Sequence, residues 1–287
     1  MQVGIGLPNT VPGTTGSGLL EWARKADAAG FSSLASIGAV SYPGYEELTA
    51  FAAAGAVTGR IRFLSNVLLA PSRTTAELAK QSASVDQITG GRLTLGLGIG
   101  WRMTDFQLTG HDFTNRGRRF ERQLADLKRA WAGEPLEDGT RAVCVPLVQS
   151  GGIPMLIGGT TDASIRRVVE FGAGWTAGGM APDAVAAMAE KVKAAWSEAG
   201  REGTPRVTAL MYFGLGDTEE ASRGYLLDYY SLMGSDIAGY IAGSAARSPE
   251  AIKGAIEAFA QAGVDELILD PTVSDPGQVD LLAEVVF

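Results

Sequence analysis

The chain has 287 residues, 46% hydrophobic and 20% charged, a balance that fills a core without cross-links and excludes disordered and fibrous classes. Its formal net charge of −8 disfavours nucleic acid and anionic membrane surfaces, both polyanions, so a small molecule is the expected partner. One Cys144 and one His111 cannot supply a disulfide framework or a zinc cage of about four Cys and His ligands, and no bound metal is expected.

The amino-terminal MQVGIGLPNT carries no basic leader, and no window approaches the ~20 apolar residues of a membrane span, so a cytoplasmic location is expected. From there, short apolar runs alternate with helical periodicity. A first strand at Val3 to Leu7 precedes a helix at 17–29, and a second at Ser33 to Ile37 precedes one at 45–58. The third, Ile61 to Leu68, is followed by a helix at 74–89, and the fourth, Leu93 to Ile99, by one at 115–132. Pro154 to Ile157 and Gly174 to Ala177 lead into helices at 161–171 and 182–199. The seventh strand, Arg206 to Phe213, precedes helices at 218–233 and 248–262, and the eighth, Glu266 to Leu269, a last helix at 275–286. Eight such units predict a (β/α)8 TIM barrel, one domain over residues 1–287, with short insertions at the carboxyl-terminal face. Gly30 and Gly263 are placed to end helices in left-handed turns, and Gly172 does something similar. The loop Gly110 to Thr114 and residues 133–152, rich in Gly and Pro, interrupt the spacing.

Two glycine patterns stand out. GRLTLGLGIGWRMTDF, residues 91–106, sets Gly96, Gly98 and Gly100 along the fourth strand and ends at Trp101. Position 103 is Met, so the pattern does not continue as a dinucleotide fingerprint. Alternating glycines clear one strand face, for a ligand or for a neighbouring backbone. In IPMLIGGTTDASIRR, residues 153–167, a strand meets Gly158, Gly159 and Thr160 and then a helix start. Free N–H groups and the positive dipole end make that turn a plausible phosphate cup, with Thr161, Arg166 or Arg167 as helpers; ordinary capping by Thr161 or Asp162 explains the same residues.

The run SVDQITGGRLTLGLGIGWRMTDFQLTGHDFTNRGRRFERQLADLKRAW resembles the signature of the bacterial-luciferase-like flavin-dependent oxidoreductases. VPLVQSGGIPMLIGG and VGIGLPN resemble that family's later glycine segment and first strand. The resemblance implies a barrel, often dimeric, that holds reduced FMN or the deazaflavin coenzyme F-420 at its carboxyl-terminal face. It places the phosphate at Gly158, Gly159 and Thr160 and the ring over the barrel mouth, where Gly98, Gly100 and Trp101 are the cofactor-binding candidates. It also implies a bulge with a non-proline cis peptide at Asn66-Val67, or one bond earlier.

The chain departs from the family after the second strand, where SIGAVSYPGYEE has no histidine. Direct alcohol oxidation needs a base there. Tyr42 and Tyr45 occupy the neighbourhood and are the candidate hydrogen-bond or proton donors, whereas His111 reads as a loop or capping residue. Asn9, Arg102 and Trp175 are further candidates for the substrate pocket. Asp105 suits the cap of a short helix, and Arg116, Arg118 and Arg119 with Glu121 read as surface ion pairs. The expected activity is a monooxygenase using reduced FMN and oxygen, supplied by a separate flavin reductase. The alternatives are a deazaflavin-dependent reductase of an enone or imine, and a non-catalytic flavin-binding barrel.

Overall fold

The computed structural model describes residues 1–287. Its eight strands are all parallel and close in sequence order: β1 Gln2–Gly6, β2 Ser33–Ser36, β3 Arg62–Leu69, β4 Leu93–Gly98, β5 Met155–Gly158, β6 Gly174–Thr176, β7 Arg206–Phe213 and β8 Glu266–Pro271. The helices are α1 Gly16–Ala29, α2 Glu47–Gly55, α3 Thr75–Thr89, α4 Met103–Thr109, α5 Arg116–Trp131, α6 Asp162–Phe171, α7 Pro182–Glu198, α8 Glu219–Tyr229, α9 Ser235–Ser244, α10 Pro249–Gln261 and α11 Gly277–Val286. No helix is long and apolar enough to cross a membrane.

Local signals start the helices. Thr15, Thr74, Thr161 and Ser248 cap α1, α3, α6 and α10, each side-chain oxygen accepting the N–H three residues on, which satisfies one of the orphan donors of the first turn. Gly30 and Gly263 take positive φ, as the turn signals predict. Gly172 is a correction: its φ is −83. The chain there is extended, and the glycine serves close packing, since a Cβ would stand 2.9 Å from the Val168 carbonyl oxygen.

The expected helix at 218–233 is shorter than its periodicity suggests. It stops at Tyr229, a 3-10 turn covers Ser231–Met233, and α9 follows as a separate helix. Gly234 at φ 90 makes the break, and the small residues Gly239 and Gly243 leave α9 too faint a pattern to read. The link from β7 to β8 therefore carries a two-helix insertion at the carboxyl-terminal face, as α4 does between β4 and α5. Residues 133–152 form no regular element and lie at the opposite end, where Asp86 accepts the Val148 N–H at 2.6 Å and Gln149 donates to the Leu93 carbonyl at 2.8 Å.

Three hydrophobic clusters result. Phe, Leu and Trp side chains fill the shell between strands and helices, Ala35, Leu64, Leu156 and Ile268 fill the middle of the barrel, and a third cluster packs α8 and α9 onto Val11, Ile37 and Leu210. At the amino-terminal end, buried Glu266 accepts from Ser33 at 2.7 Å and from Ser32 and pairs with Arg206. Gly96 lies where the backbone of β3 presses on β4, and a Cβ there would collide with the Ser65 carbonyl oxygen. Gly96→Ala is expected to lower the unfolding free energy by roughly 2 kcal/mol or more, read as a fall in urea midpoint at unchanged slope.

Candidate active site

The floor of the barrel mouth is built by β3. Its pairing with β4 skips between Ser65 and Leu68, and the Asn66-Val67 peptide is cis, as the resemblance implies. The irregularity turns Asn66 inward, where its Oδ1 accepts a 2.5 Å hydrogen bond from Thr176 across the barrel on β6; its Nδ2 has no partner. Val67 lies over two bare positions. A Cβ on Gly98 would stand 2.7 Å from Val67 Cγ2, and one on Gly158 would stand 3.3 Å from Val67 Cγ1. The alternating glycines thus make room for neighbouring protein: Gly96 for the Ser65 carbonyl, and Gly98 for the Val67 side chain. Gly100 turns the chain at φ 74, and its carbonyl accepts from Arg116 Nε at 3.1 Å.

The roof is the α8–α9 insertion, which carries Tyr225, Tyr229 and Tyr230. Tyr225 shares a 2.6 Å hydrogen bond with Thr10, and Tyr230 shares one of 2.6 Å with Tyr212. Arg102 is stacked between the rings of Trp101 and Tyr229, 4.3 and 4.4 Å from their centroids, and donates to the Tyr229 carbonyl at 2.9 Å. Burial pushes the hydroxyls of Tyr212, Tyr225 and Tyr229 well above the usual tyrosine range, and that of Tyr230 to about 12. Beneath this roof lies Asp270, fully enclosed at the end of β8, its carboxyl pushed well above the usual range by burial.

The predicted residues scatter more than the sequence suggests. Tyr42 donates to Asp228 at 2.7 Å and packs edge-on against Tyr229, while burial and the Asp228 carboxylate push its pKa up. Tyr45 is exposed and donates to the Thr14 carbonyl at 3.2 Å. Both hydroxyls are therefore engaged in tying loops together. Asn9 is buried and donates to the Ile37 carbonyl at 2.7 Å, leaving its Oδ1 without a partner. Trp101 stands exposed at the rim. Two pocket assignments are corrected. Trp175 is on the outer face of the sheet, fully buried, with its indole N–H on the Gly159 carbonyl at 2.8 Å; it steadies the glycine turn from behind, because the register of β6 directs Thr176 inward instead. Arg102 is committed to Tyr229 and holds the roof.

At the glycine turn, Gly159 takes φ 108 and Thr160 is exposed, followed by Thr161 as the cap of α6. Arg166 is exposed. Arg167 is a further correction, since its guanidinium pairs with Glu121 at 3.0 Å and donates to the Gly117 carbonyl at 3.2 Å. Glu121 is thereby taken from the arginine cluster. Arg116 instead lies on the Phe113 ring and Arg119 donates to His111 Nε2 at 3.1 Å; burial, then Arg119, lowers the His111 pKa and favours the neutral acceptor. Asp105 is buried within α4 and accepts from Ser41 N and Oγ, at 2.7 and 2.6 Å, rather than capping a helix. The sequence reading missed Asp270, Thr176 and the tyrosines of α8. A carboxylate followed by Pro at the end of an apolar barrel strand was the available signal for the first. A cavity of about 990 Å³ beneath residues 133–152 is at the far end of the barrel.

A family model described as luciferase-like monooxygenase matches residues 1–284. The chain belongs to that family. An uncharacterized protein of Mycobacterium tuberculosis is 31% identical to this luciferase-like chain over 206 residues, 62% of this chain and 71% of the relative. Among solved structures, the monooxygenase RslO1 from Streptomyces bottropensis aligns at TM-score 0.79 and 21% identity, covering 100% of this chain and 98% of that one. A secondary alcohol dehydrogenase dependent on coenzyme F-420, solved with a coenzyme–acetone adduct, aligns at 0.79 and 16% identity, covering 99% and 98%. The oxygenating constituent of 3,6-diketocamphane monooxygenase from Pseudomonas putida, in complex with FMN, aligns at 0.75 and 20% identity over 100% and 96%. At these identities the structural likeness speaks for the luciferase-like fold.

Arg102→Ala is expected to cost about 1–2 kcal/mol and to free the roof, so that amide exchange over residues 219–244 accelerates roughly tenfold while the β-strand amides keep their protection. Alkali offers a second check. Unfolded tyrosines ionise near pH 10, while Tyr230 holds its proton to about 12. Across that window the folded state binds more protons, so stability falls as pH rises, and the thermal midpoint is expected to drop from about pH 10 upward.

Proposed function

We propose that this luciferase-like chain is a flavin-dependent oxidoreductase, and that it uses reduced FMN with oxygen as a monooxygenase of a small organic substrate. The observation that carries the reading is the mouth itself: an apolar floor of Val67 laid over Gly98 and Gly158, beside a glycine turn that opens onto the start of α6. A flat ring fits the first and a phosphate the second. The N–H groups of the first turn and the dipole end favour an anion there, and Trp175 fixes the turn from outside. The donor set suits the group: Asn66 Nδ2 is buried without a partner in the floor, as a contact to a polar ring edge requires.

Reduced flavin, when bound, would supply the electrons that activate oxygen. The chain's part is position and dryness. Val67 supports, the tyrosine roof excludes water, and a separate reductase would deliver the reduced cofactor. No histidine stands at the mouth, and the hydroxyls of Tyr42 and Tyr45 are engaged; an activity that needs no strong base therefore suits this chain better than alcohol oxidation.

Equilibrium titration with FMN, reduced FMN, riboflavin and the deazaflavin coenzyme tests this. FMN is expected to bind at least about tenfold more tightly than riboflavin, and Thr160→Glu, which sets a negative charge at the exposed turn without disturbing the glycines, to level the two. Preference for the deazaflavin would move the assignment to hydride transfer. Failure of every form to bind would remove the flavin reading.

A further inference from the structure

β8 carries two carboxylates on the inner face of the barrel. Glu266, at its start, is met by Ser32, Ser33 and Arg206. Asp270, at the mouth, is 1% exposed, and its Oδ1 has no hydrogen-bond partner. The position is prepared for it, because a Cβ on Gly6 of β1 would collide with that oxygen. Tyr212, its register neighbour on β7, is already paired with Tyr230, and Tyr225 with Thr10. Burial raises the pKa of this carboxyl with no cation opposing it, and so favours the protonated form, which can donate. Two further orphans stand at the mouth, Asn66 Nδ2, a donor, and Asn9 Oδ1, an acceptor. Neither is hydrogen-bonded to Asp270, so the acid is left without a partner from the chain itself. An apolar side chain of the same shape would serve a closed core better than an unpartnered acid.

We propose that Asp270 is a hydrogen-bond donor with which the mouth engages a carbonyl oxygen of its occupant. The inference rests on the flavin reading of this site and deepens it. A carbonyl of that kind is present on the rings of both FMN and the deazaflavin, and equally on a ketone substrate; the chemistry recognised is the same.

Infrared difference spectra of wild type against Asp270→Asn isolate the carbonyl stretch of the protonated carboxyl at neutral pH. Saturating FMN or deazaflavin coenzyme is expected to move that band to lower frequency. Movement with the cofactor alone assigns the oxygen to the ring; movement only after cyclohexanone is added to the cofactor complex assigns it to a substrate. Asp270→Leu supplies the second measurement. It is expected to melt no lower than wild type, since it removes an unpartnered polar group, yet to bind the same probe at least about tenfold more weakly, whereas Asp270→Asn, which still donates, stays within about threefold. If the wild type binds neither cofactor, the flavin reading falls and this inference with it. If the cofactor binds and the band is absent at neutral pH or unmoved by either probe, or the Leu variant binds undiminished, Asp270 alone is overturned.

Discussion

The mouth of this barrel depends on a steric exchange between β3 and its neighbours. β3 departs from regular pairing between Ser65 and Leu68, and the displaced backbone and side chain must go somewhere. They go into space that β4 and β5 leave by having no Cβ at Gly96, Gly98 and Gly158. Three features of the sequence, scattered over nearly a hundred residues, are therefore one constraint. A larger residue at any of these glycines would push the irregularity back out of the barrel.

Above that floor the architecture changes character. The floor is part of the closed sheet and shares its cooperativity. The roof is a pair of helices attached through a small hydrophobic cluster, in which Tyr225, Leu226, Tyr229 and Ala242 meet Val11, Ile37 and Leu210, and through polar contacts: Tyr230 to Tyr212, Tyr225 to Thr10, Arg102 to Tyr229, and Tyr42 to Asp228. The polar contacts each contribute about 1 kcal/mol, and the cluster is far smaller than the core beneath the outer helices, so the roof is held less firmly than the closed sheet.

Most of the barrel was legible because its signals are local and repeated. Each strand is a short apolar run, most helices have a polar cap or a terminal glycine, and eight such units close in only one familiar way. The glycine turn at Gly158 and Gly159 was legible as an apolar run that meets two glycines before a helix start, and the irregular bond at Asn66-Val67 through family resemblance, which supplied what periodicity lacks. The role of Arg102 was misjudged because its partner Tyr229 is 127 residues away in the chain, and that of Trp175 because strand-end position alone does not say which face a side chain takes. A shift of one residue moves it across the sheet: Thr176 points in, Trp175 points out. Asp270 escaped notice because reading the strand by its apolar run ends it at Leu269, one residue short of the acid. The second roof helix, rich in glycine and alanine, offers no apolar stripe strong enough to separate it from a loop.

The placement of the tryptophans has an optical consequence. Trp22, Trp131, Trp175 and Trp196 are shut in the outer shell, and Trp101 alone, 37% exposed, stands at the rim with its indole against Arg102. Four of these emitters are insulated from solvent, while the fifth is stacked on the arginine that fastens the roof. The intrinsic emission of this chain is thus divided by position into a constant background and a single native reporter of whether the mouth is shut.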